Sequence, residues 1–258
     1  MPIIHPTALV DLSASIADNV IIGAYSMVGP NVTIASGTVV ESHCVIEGHT
    51  QIGENNTFHS FCSVGCVPQD KKYNAEPTRL TIGNGNTFFQ NVTISIGTSQ
   101  DRGLTSIADN CWVMAYAHIA HDCIVGSNVI LANNATLAGH VSVGDYAILG
   151  GLTAVHQFCV IGEHAMAGGG SIIVQDLPPF VMCEGNRATA RSINIEGLKR
   201  RGFSLDEIAS VKKAYKTLYR EGTSYEVAVN LIREQAVFMP VLQCFVNFFD
   251  QSKRGIVR

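Results

Sequence analysis

An apolar residue recurs at every sixth position over most of this chain. The series runs from Ile4 through Val10, Ile16, Ile22, Val28, Ile34, Val40, Ile46, Ile52 and Phe58 to Val64. It lapses, resumes in the same phase at Ile82, Phe88 and Ile94, shifts by one residue, and continues from Ile107 to Ile173. A period of six fits neither the helical repeat of about 3.6 nor the simple alternation of a strand. It marks a hexapeptide β-helix, in which each repeat is a short strand and a turn, and stacked coils share one core. Two segments break the pattern. Residues 70–81 lose the apolar series but keep its phase, and residues 100–106 add one residue to the count. Both carry charges and read as loops that leave the solenoid on one face.

The period changes after Leu177-Pro178-Pro179, where the prolines stop the strand signal. The predicted organisation is a mainly β repeat domain over 1–178 and a helical domain over 179–258. Ser204 to Glu207 reads as a capping box opening a helix to about Arg220, with Gly222 as its stop. Thr223 to Glu226 repeats the signal for a second helix. Val241 to Phe249 predicts a third, and Ile195–Arg201 a short basic helix or turn. A domain of this kind would cap the open end of the β-helix, where a strand edge is otherwise unpaired.

Composition narrows the picture. Hydrophobic residues make up 47% of the chain and charged residues 15%, which allows a large core. No apolar stretch approaches the roughly 18 residues of a membrane span, so stable membrane insertion is not expected. No basic segment followed by an apolar run marks the N-terminus as secretory, and a cytoplasmic location is the expectation. Of the eight cysteines, Cys44, Cys62, Cys111, Cys123 and Cys159 each fall four residues after an apolar repeat position. Ala8, Ala14, Ala117, Ala135 and Ala147 share that slot, so cysteine acts there as a small apolar residue rather than as a disulfide half. No CxxC pair suggests zinc.

The net charge of −4 hides an asymmetry. Residues 1–186 hold 4 Lys/Arg against 14 Asp/Glu, and residues 187–258 hold 13 against 7, so the two parts carry −10 and +6. A basic helical domain suits an anionic partner or ligand. It equally suits an ordinary charged helix surface beside a charge-poor β-helix.

None of the nine histidines lies in the helical domain, and His118, His121, His140 and His156 fall within 39 residues of one another. By resemblance to known hexapeptide β-helix proteins, three hexads make a coil of about 18 residues. On that spacing His121 sits under Gly139 and Asp122 under His140, and all four histidines gather along one edge outside the apolar series. A surface ladder with no function is the plain alternative. Histidine is the usual general base near neutral pH, and Asp122 could orient a neighbouring imidazole. Gly139 has no side chain, so its N–H could meet a developing oxyanion one coil above His121. A base and an oxyanion donor on adjacent coils are what acyl transfer to a hydroxyl requires.

The local motifs are more specific. Residues 117–123 (AHIAHDC), 131–140 (LANNATLAGH), 150–159 (GGLTAVHQFC), 68–80 (PQDKKYNAEPTRL), 194–204 (NIEGLKRRGFS) and the C-terminal SKRGIVR resemble the UDP-N-acetylglucosamine O-acyltransferase family, which opens lipid A synthesis. The likeness spans essentially the whole chain. It implies a left-handed parallel β-helix with a C-terminal α-helical domain, although physics alone would favour right-handed crossovers. It implies His121 as general base, Asp122 as its partner and Gly139 as the oxyanion donor. Asp70 and Lys72 correspond to acceptor-sugar and acyl-chain contacts. His118, His140, His156 and Gln157 correspond to the lining of the sugar site, and Gly169 to the position that limits acyl length. Asn194, Glu196, Arg200 and Arg201 correspond to the nucleotide-binding segment.

The implied reaction moves a 3-hydroxyacyl chain from acyl carrier protein to the glucosamine 3-hydroxyl of UDP-N-acetylglucosamine, at sites between the subunits of a homotrimer. It needs no metal or organic cofactor, and nucleic acid is not among the expected partners. Two alternatives share the scaffold. One is the later N-acyltransferase of the same pathway. The other is a zinc hydratase of the γ-carbonic anhydrase type, which also places histidines on adjacent coils.

Overall fold

The computed structural model describes residues 1–258. The expected left-handed parallel β-helix is present. Successive strands, mostly of two residues, go in turn to three sheets of 11, 9 and 8 strands, which begin at Ile3–Ile4, Leu9–Val10 and Ser15–Ile16. The offset between stacked strands is 18 residues, as in Ile4 on Ile22, Ile22 on Val40 and Val40 on Phe58. In each central strand the second residue points inward and is buried, which accounts for the six-residue period. Phe58 and Phe88 stack in the core with ring centroids 4.8 Å apart. Filling the axis with such side chains contributes about 1.5–3 kcal/mol each.

The turns explain the polar half of the repeat. The second residue of most turns has positive φ, and Asn occupies it at 19, 31, 55, 91, 110, 128 and 134. Asn tolerates this left-handed conformation better than most residues. The five in-register cysteines are buried and free. Four of their thiols, those of Cys44, Cys62, Cys111 and Cys123, reach carbonyls of the next coil, as in Cys111 to Gly126 O at 3.0 Å and Cys123 to Ala138 O at 3.2 Å. Burial pushes the Cys123 thiol up to about 12 and that of Cys111 to about 11. Cys111 and Cys123 are thus packing groups without nucleophilic character at neutral pH.

The two breaks are shorter than the pattern suggests. Arg79–Ile82 is a strand of the third sheet, with Leu80 fully buried. Leu104–Ile107 is the next strand of that sheet and pairs with it directly. The six-residue period catches only the last residue of each, Ile82 and Ile107, because each is a four-residue strand with alternating inward residues. Phe88 stacks on Phe58 at an offset of 30 and Val113 on Phe88 at 25. The first break is thus two whole hexads, which preserves the phase, and the second is one hexad plus a residue. Both leave the corner between the second and third sheets.

At the far end the sheet outlasts the prolines. Val181–Glu184 pairs in parallel with Met166–Ala167, and Thr189–Ile193 pairs with it antiparallel. Strand structure therefore continues past 178, because Pro179 lies in the turn rather than in the ladder. Four helices follow: α1 (Ile195–Arg200), α2 (Leu205–Tyr219), α3 (Tyr225–Ala236) and α4 (Gln243–Gln251). The capping box at Ser204 and Glu207 is formed on both sides. The cap of α3 is Ser224, one residue later than expected, and Thr223 instead donates its hydroxyl to Thr217 O. The last helix starts later than Val241 because Pro240–Leu242 forms a 3₁₀ turn. The apolar core runs without interruption from the coils into Leu198, Val211 and Phe245.

The C-terminal segment is fastened to the prism by one carboxylate. Asp176 is fully buried, and its Oδ1 accepts from Val160 N at 2.8 Å. Its Oδ2 accepts from Ser252 Oγ at 2.7 Å and from the N–H groups of Lys253 and Arg254 at 3.0 Å each. Asp176→Ala strands four donors and should destabilise the chain by about 3 kcal/mol or more, against about 1 kcal/mol for Ser252→Ala. Urea unfolding followed by circular dichroism measures both, and equal costs would show that the carboxylate is not the fastening.

Candidate active site

The exact coil spacing stacks three turn dipeptides at the corner between the second and third sheets: His121-Asp122, Gly139-His140 and Gln157-Phe158. Asp122, His140 and Phe158 take the left-handed position, with φ of 58°, 62° and 64°. Backbone bonds tie the turns together, from His140 N to His121 O at 3.0 Å and from Phe158 N to Gly139 O at 3.1 Å.

His121 and Asp122 form a pair, with Nδ1 2.9 Å from Asp122 Oδ2. The Asp122 side chain has no exposure to solvent. Thr98 holds it with both its N–H, at 3.0 Å, and its hydroxyl, at 2.6 Å, while Asp122 N donates to Thr105 Oγ1 at 2.8 Å. Burial pushes the Asp122 carboxyl up, but the hydrogen bonds from His121 and Thr98 outweigh it and hold the group below the usual carboxylate range. Asp122 is therefore an anion that can accept Nδ1–H, which in the neutral imidazole makes Nε2 the nitrogen free to accept a proton. The imidazole lies flat against Gly139, where a Cβ would fall 2.6 Å from Nε2 and 2.5 Å from Cε1. A larger residue there would push the ring aside. The Gly139 N–H makes no hydrogen bond within the chain. The first N–H of the neighbouring turns is equally free, so the missing side chain is what makes this one approachable.

A second histidine–carboxylate pair adjoins the first. His140 Nδ1 is 2.7 Å from Asp101 Oδ2, and its ring stacks on Phe158 at 4.4 Å and meets the His121 ring edge-on at 4.9 Å. Asp101 comes from the second break in the repeat. The first break contributes Asp70 and Lys72, and with His121, His140 and Gln157 they line one groove of about 1620 Å³. The groove continues along the third sheet past Ile124 and Val160 to α4. His121, Asp122 and His140 also present ligand atoms within 4.8 Å of one another, which a metal could use. The Asp122 carboxylate is already filled by the hydrogen bonds from Thr98 and His121.

The remaining expected residues are not gathered at this corner within one chain. His118 lies on the outer face of the second sheet, bonded to Thr93 Oγ1 at 2.7 Å, and burial with the charge of His121 lowers its pKa. His156 opens into a separate pocket. Gly169 is exposed at the corner between the first and second sheets, above Gly151. Asn194 is buried and caps α1 through Oδ1 to Gly197 N, while its Nδ2 has no partner. Glu196 pairs with Lys199 at 2.9 Å, and Arg200 is exposed and unpaired. Arg201 turns inward, with NH1 3.2 Å from His164 Nδ1 and NH2 donating to Tyr146 O at 3.0 Å. Residue-by-residue reading missed Thr98, Asp101 and Thr105. Asp101 and Thr105 lie in the flagged charged break and Thr98 just before it, but pairing across 24 or 39 residues leaves no local pattern.

A hexapeptide β-helix with a His–carboxylate pair and a bare backbone N–H on the next coil defines a hexapeptide acyltransferase. The profile described as UDP N-acetylglucosamine O-acyltransferase, domain 2, matches residues 176–257, and the bacterial transferase hexapeptide profile matches 13–48 and 105–139. The chain is 50% identical, over the full length of both, to the acyl-[acyl-carrier-protein]–UDP-N-acetylglucosamine O-acyltransferase of Saccharophagus degradans. The Francisella novicida UDP-N-acetylglucosamine acyltransferase structure is similar at a TM-score of 0.97 and 40% identity, covering 99% of this chain and 94% of that one. The Moraxella catarrhalis UDP-N-acetylglucosamine O-acyltransferase structure gives 0.95 and 44%, covering 99% of each. The chain belongs to the UDP-N-acetylglucosamine O-acyltransferase family.

His164 supplies a pH test of how the helices are locked to the prism. It is buried in a stack with Tyr146 and Phe180, and burial followed by the charge of Arg201 pushes its pKa down to about 4. The fold thus favours the neutral ring, whereas the unfolded chain takes up a proton near pH 6.5. Its contribution is complete above about pH 6.5 and lost on descent to about pH 4, on the order of 3 kcal/mol in all. Unfolding free energy against pH should show a shallower slope in that window for His164→Phe than for the parent. Identical slopes would contradict the buried neutral ring.

Proposed function

We propose that this chain transfers a 3-hydroxyacyl group from the thioester of acyl carrier protein to the 3-hydroxyl of the glucosamine in UDP-N-acetylglucosamine, the opening step of lipid A synthesis. The observation that carries the reading is the His121 imidazole, oriented by buried Asp122 and pressed against the bare backbone of Gly139. Full-length identity to a named acyl-carrier-protein-dependent relative supports the substrates.

The steps follow from these positions. Unprotonated Nε2 of His121 takes the proton of the sugar hydroxyl, and Asp122 stabilises the imidazolium that forms. The sugar oxygen attacks the thioester carbonyl. The Gly139 N–H donates to the oxyanion of the tetrahedral intermediate, an interaction that grows as charge develops. The intermediate collapses, the C–S bond breaks, and the imidazolium returns its proton to the carrier thiolate. Asp70 and Lys72 border the same groove and are assigned to sugar and acyl contacts. His140, held by Asp101, is assigned to substrate polar groups beside His121.

The reading includes a homotrimer. His118, His156, Gly169 and Arg200 stand apart from the His121 groove within one chain, and a site shared between prisms would bring them to it. The outer column of the first sheet, with Ile21 and Trp112 respectively 40% and 44% exposed, is a suitable apolar face for such packing. No helix is long and apolar enough to cross a membrane, in keeping with a cytoplasmic enzyme acting on water-soluble substrates. The hydratase alternative loses ground because one His121 nitrogen and the Asp122 carboxylate are committed to each other.

Purified protein incubated with UDP-N-acetylglucosamine and a panel of acyl carrier protein thioesters tests the reading, and no turnover at any chain length would end it. His121→Ala should lower kcat by about 10²–10⁴-fold. Asp122→Asn should lose about 10²-fold or more in kcat, because an amide can present the wrong hydrogen-bonding group to Nδ1. Gly139→Ala should lose a comparable factor by displacing the imidazole. Retention of full kcat by Gly139→Ala would show that the close packing of His121 on this glycine is not needed for the reaction.

A further inference from the structure

A second cavity of about 620 Å³ lies at the helical end of the prism, where His156 and Gln175 of successive coils meet the antiparallel turn and the C-terminal segment. Three guanidinium-bearing residues, Arg187, Arg254 and Arg258, line it, and no Asp or Glu does. None of the three has a carboxylate within ion-pair distance, whereas Arg191, Lys199 and Arg233 each have one at 2.6–3.0 Å. Thr189 Oγ1, also on the wall, is buried and lacks a hydrogen-bond partner. Arg254 borders both this cavity and the His121 groove, and its Nε reaches Val174 O at 3.4 Å. The two cavities are thus neighbours that share Arg254, and this one lies two to three coils, on the order of 10–15 Å, along the axis from His121.

We infer that this cavity binds a phosphate group. Three guanidiniums without carboxylate partners make this wall electropositive, and their planar forks match phosphate oxygens in pairs. A neutral or acyl ligand would leave that charge unanswered. Most other cations of the helical end are spread over exposed helix faces, as with Lys212 and Lys213, and converge on no cavity. Under the acyl-transfer reading, on which the choice of occupant rests, two phosphates are available: the phosphodiester of the carrier protein's prosthetic arm and the diphosphate of the nucleotide sugar. Arg254, on the wall of both cavities, places this one beside the His121 groove, so that either phosphate could sit here while the reactive end of its molecule reaches the base.

Isothermal titration with inorganic pyrophosphate tests the site without any appeal to catalysis. The parent protein should bind it, and the double variant Arg187→Gln, Arg258→Gln should bind at least tenfold more weakly at unchanged melting temperature. Lys212→Gln, Lys213→Gln, which removes the same charge elsewhere, should bind as the parent does. Equal weakening by both pairs, or no weakening by the arginine pair, overturns the site. Steady-state kinetics then identify the occupant. A fivefold or greater rise in KM for the acyl carrier thioester alone, absent with an acyl-pantetheine lacking the phosphate, assigns the carrier arm. A rise in KM for UDP-N-acetylglucosamine alone assigns the diphosphate. Unchanged KM for both substrates overturns a role for the cavity in substrate binding. A parent protein that binds pyrophosphate at this site but turns nothing over would refute the acyl-transfer reading and leave the phosphate site standing.

Discussion

Each coil of this molecule hydrogen-bonds to the next in a fixed 18-residue register, and the placement of every functional group depends on that ladder. A two-residue strand contributes little by itself. Its stability comes from coils above and below, which satisfy its backbone groups and bury its single inward side chain. The ladder also forces every turn to stand on the turn beneath it. His121 therefore meets Gly139, and Asp122 meets His140, to within the tolerance of a backbone hydrogen bond. A slip of one residue would turn the apolar positions outward and separate the imidazole from the glycine.

The site draws on this rigidity and departs from it in two places. Ordinary turns put Asn or an aromatic residue in the left-handed position. This corner puts Asp122 there, the one carboxylate in such a position, and the strain of the conformation is spread over a ladder that holds the other turns in the same way. Burial of the Asp122 carboxylate would be expensive if it stood alone. Thr98 and His121 offset that cost, and the resulting anion fixes which imidazole nitrogen carries the proton. The extra residues of the breaks at the same corner bring Asp101, Asp70 and Lys72 to a surface that the regular repeat leaves nearly uncharged.

The helical end distributes its positive charge between fastening and binding. Arg201 is spent on Tyr146 and His164, and it explains why α1 lies where it does. The backbone of residues 252–254 is spent on Asp176. Arg187, Arg254 and Arg258 have no such carboxylate partner. A net charge of a segment cannot separate these uses, since both kinds of arginine count equally in the sum.

The periodicity alone determined that the chain is a hexapeptide β-helix, its inward positions and the role of five cysteines, and with three hexads to a coil it stacked Gly139 on His121. These all follow from one translation repeated along the axis, so sequence distance converts directly to spatial distance. The capping box at Ser204 was legible for a similar reason, because its two bonds span three residues. Sequence distance stops being a guide wherever the chain leaves the ladder. Only the tertiary structure paired Thr98 with Asp122 and Asp101 with His140, because the loop between them inserts an irregular length. Only it showed that strands resume at Arg79 and Leu104, where a tighter alternation replaces the six-residue period. It also moved His118, His156 and Gly169 away from the His121 groove, since neighbours along the chain can face different sides of a triangular prism. It alone set Asn194 to capping a helix and gathered three arginines from distant segments around one cavity.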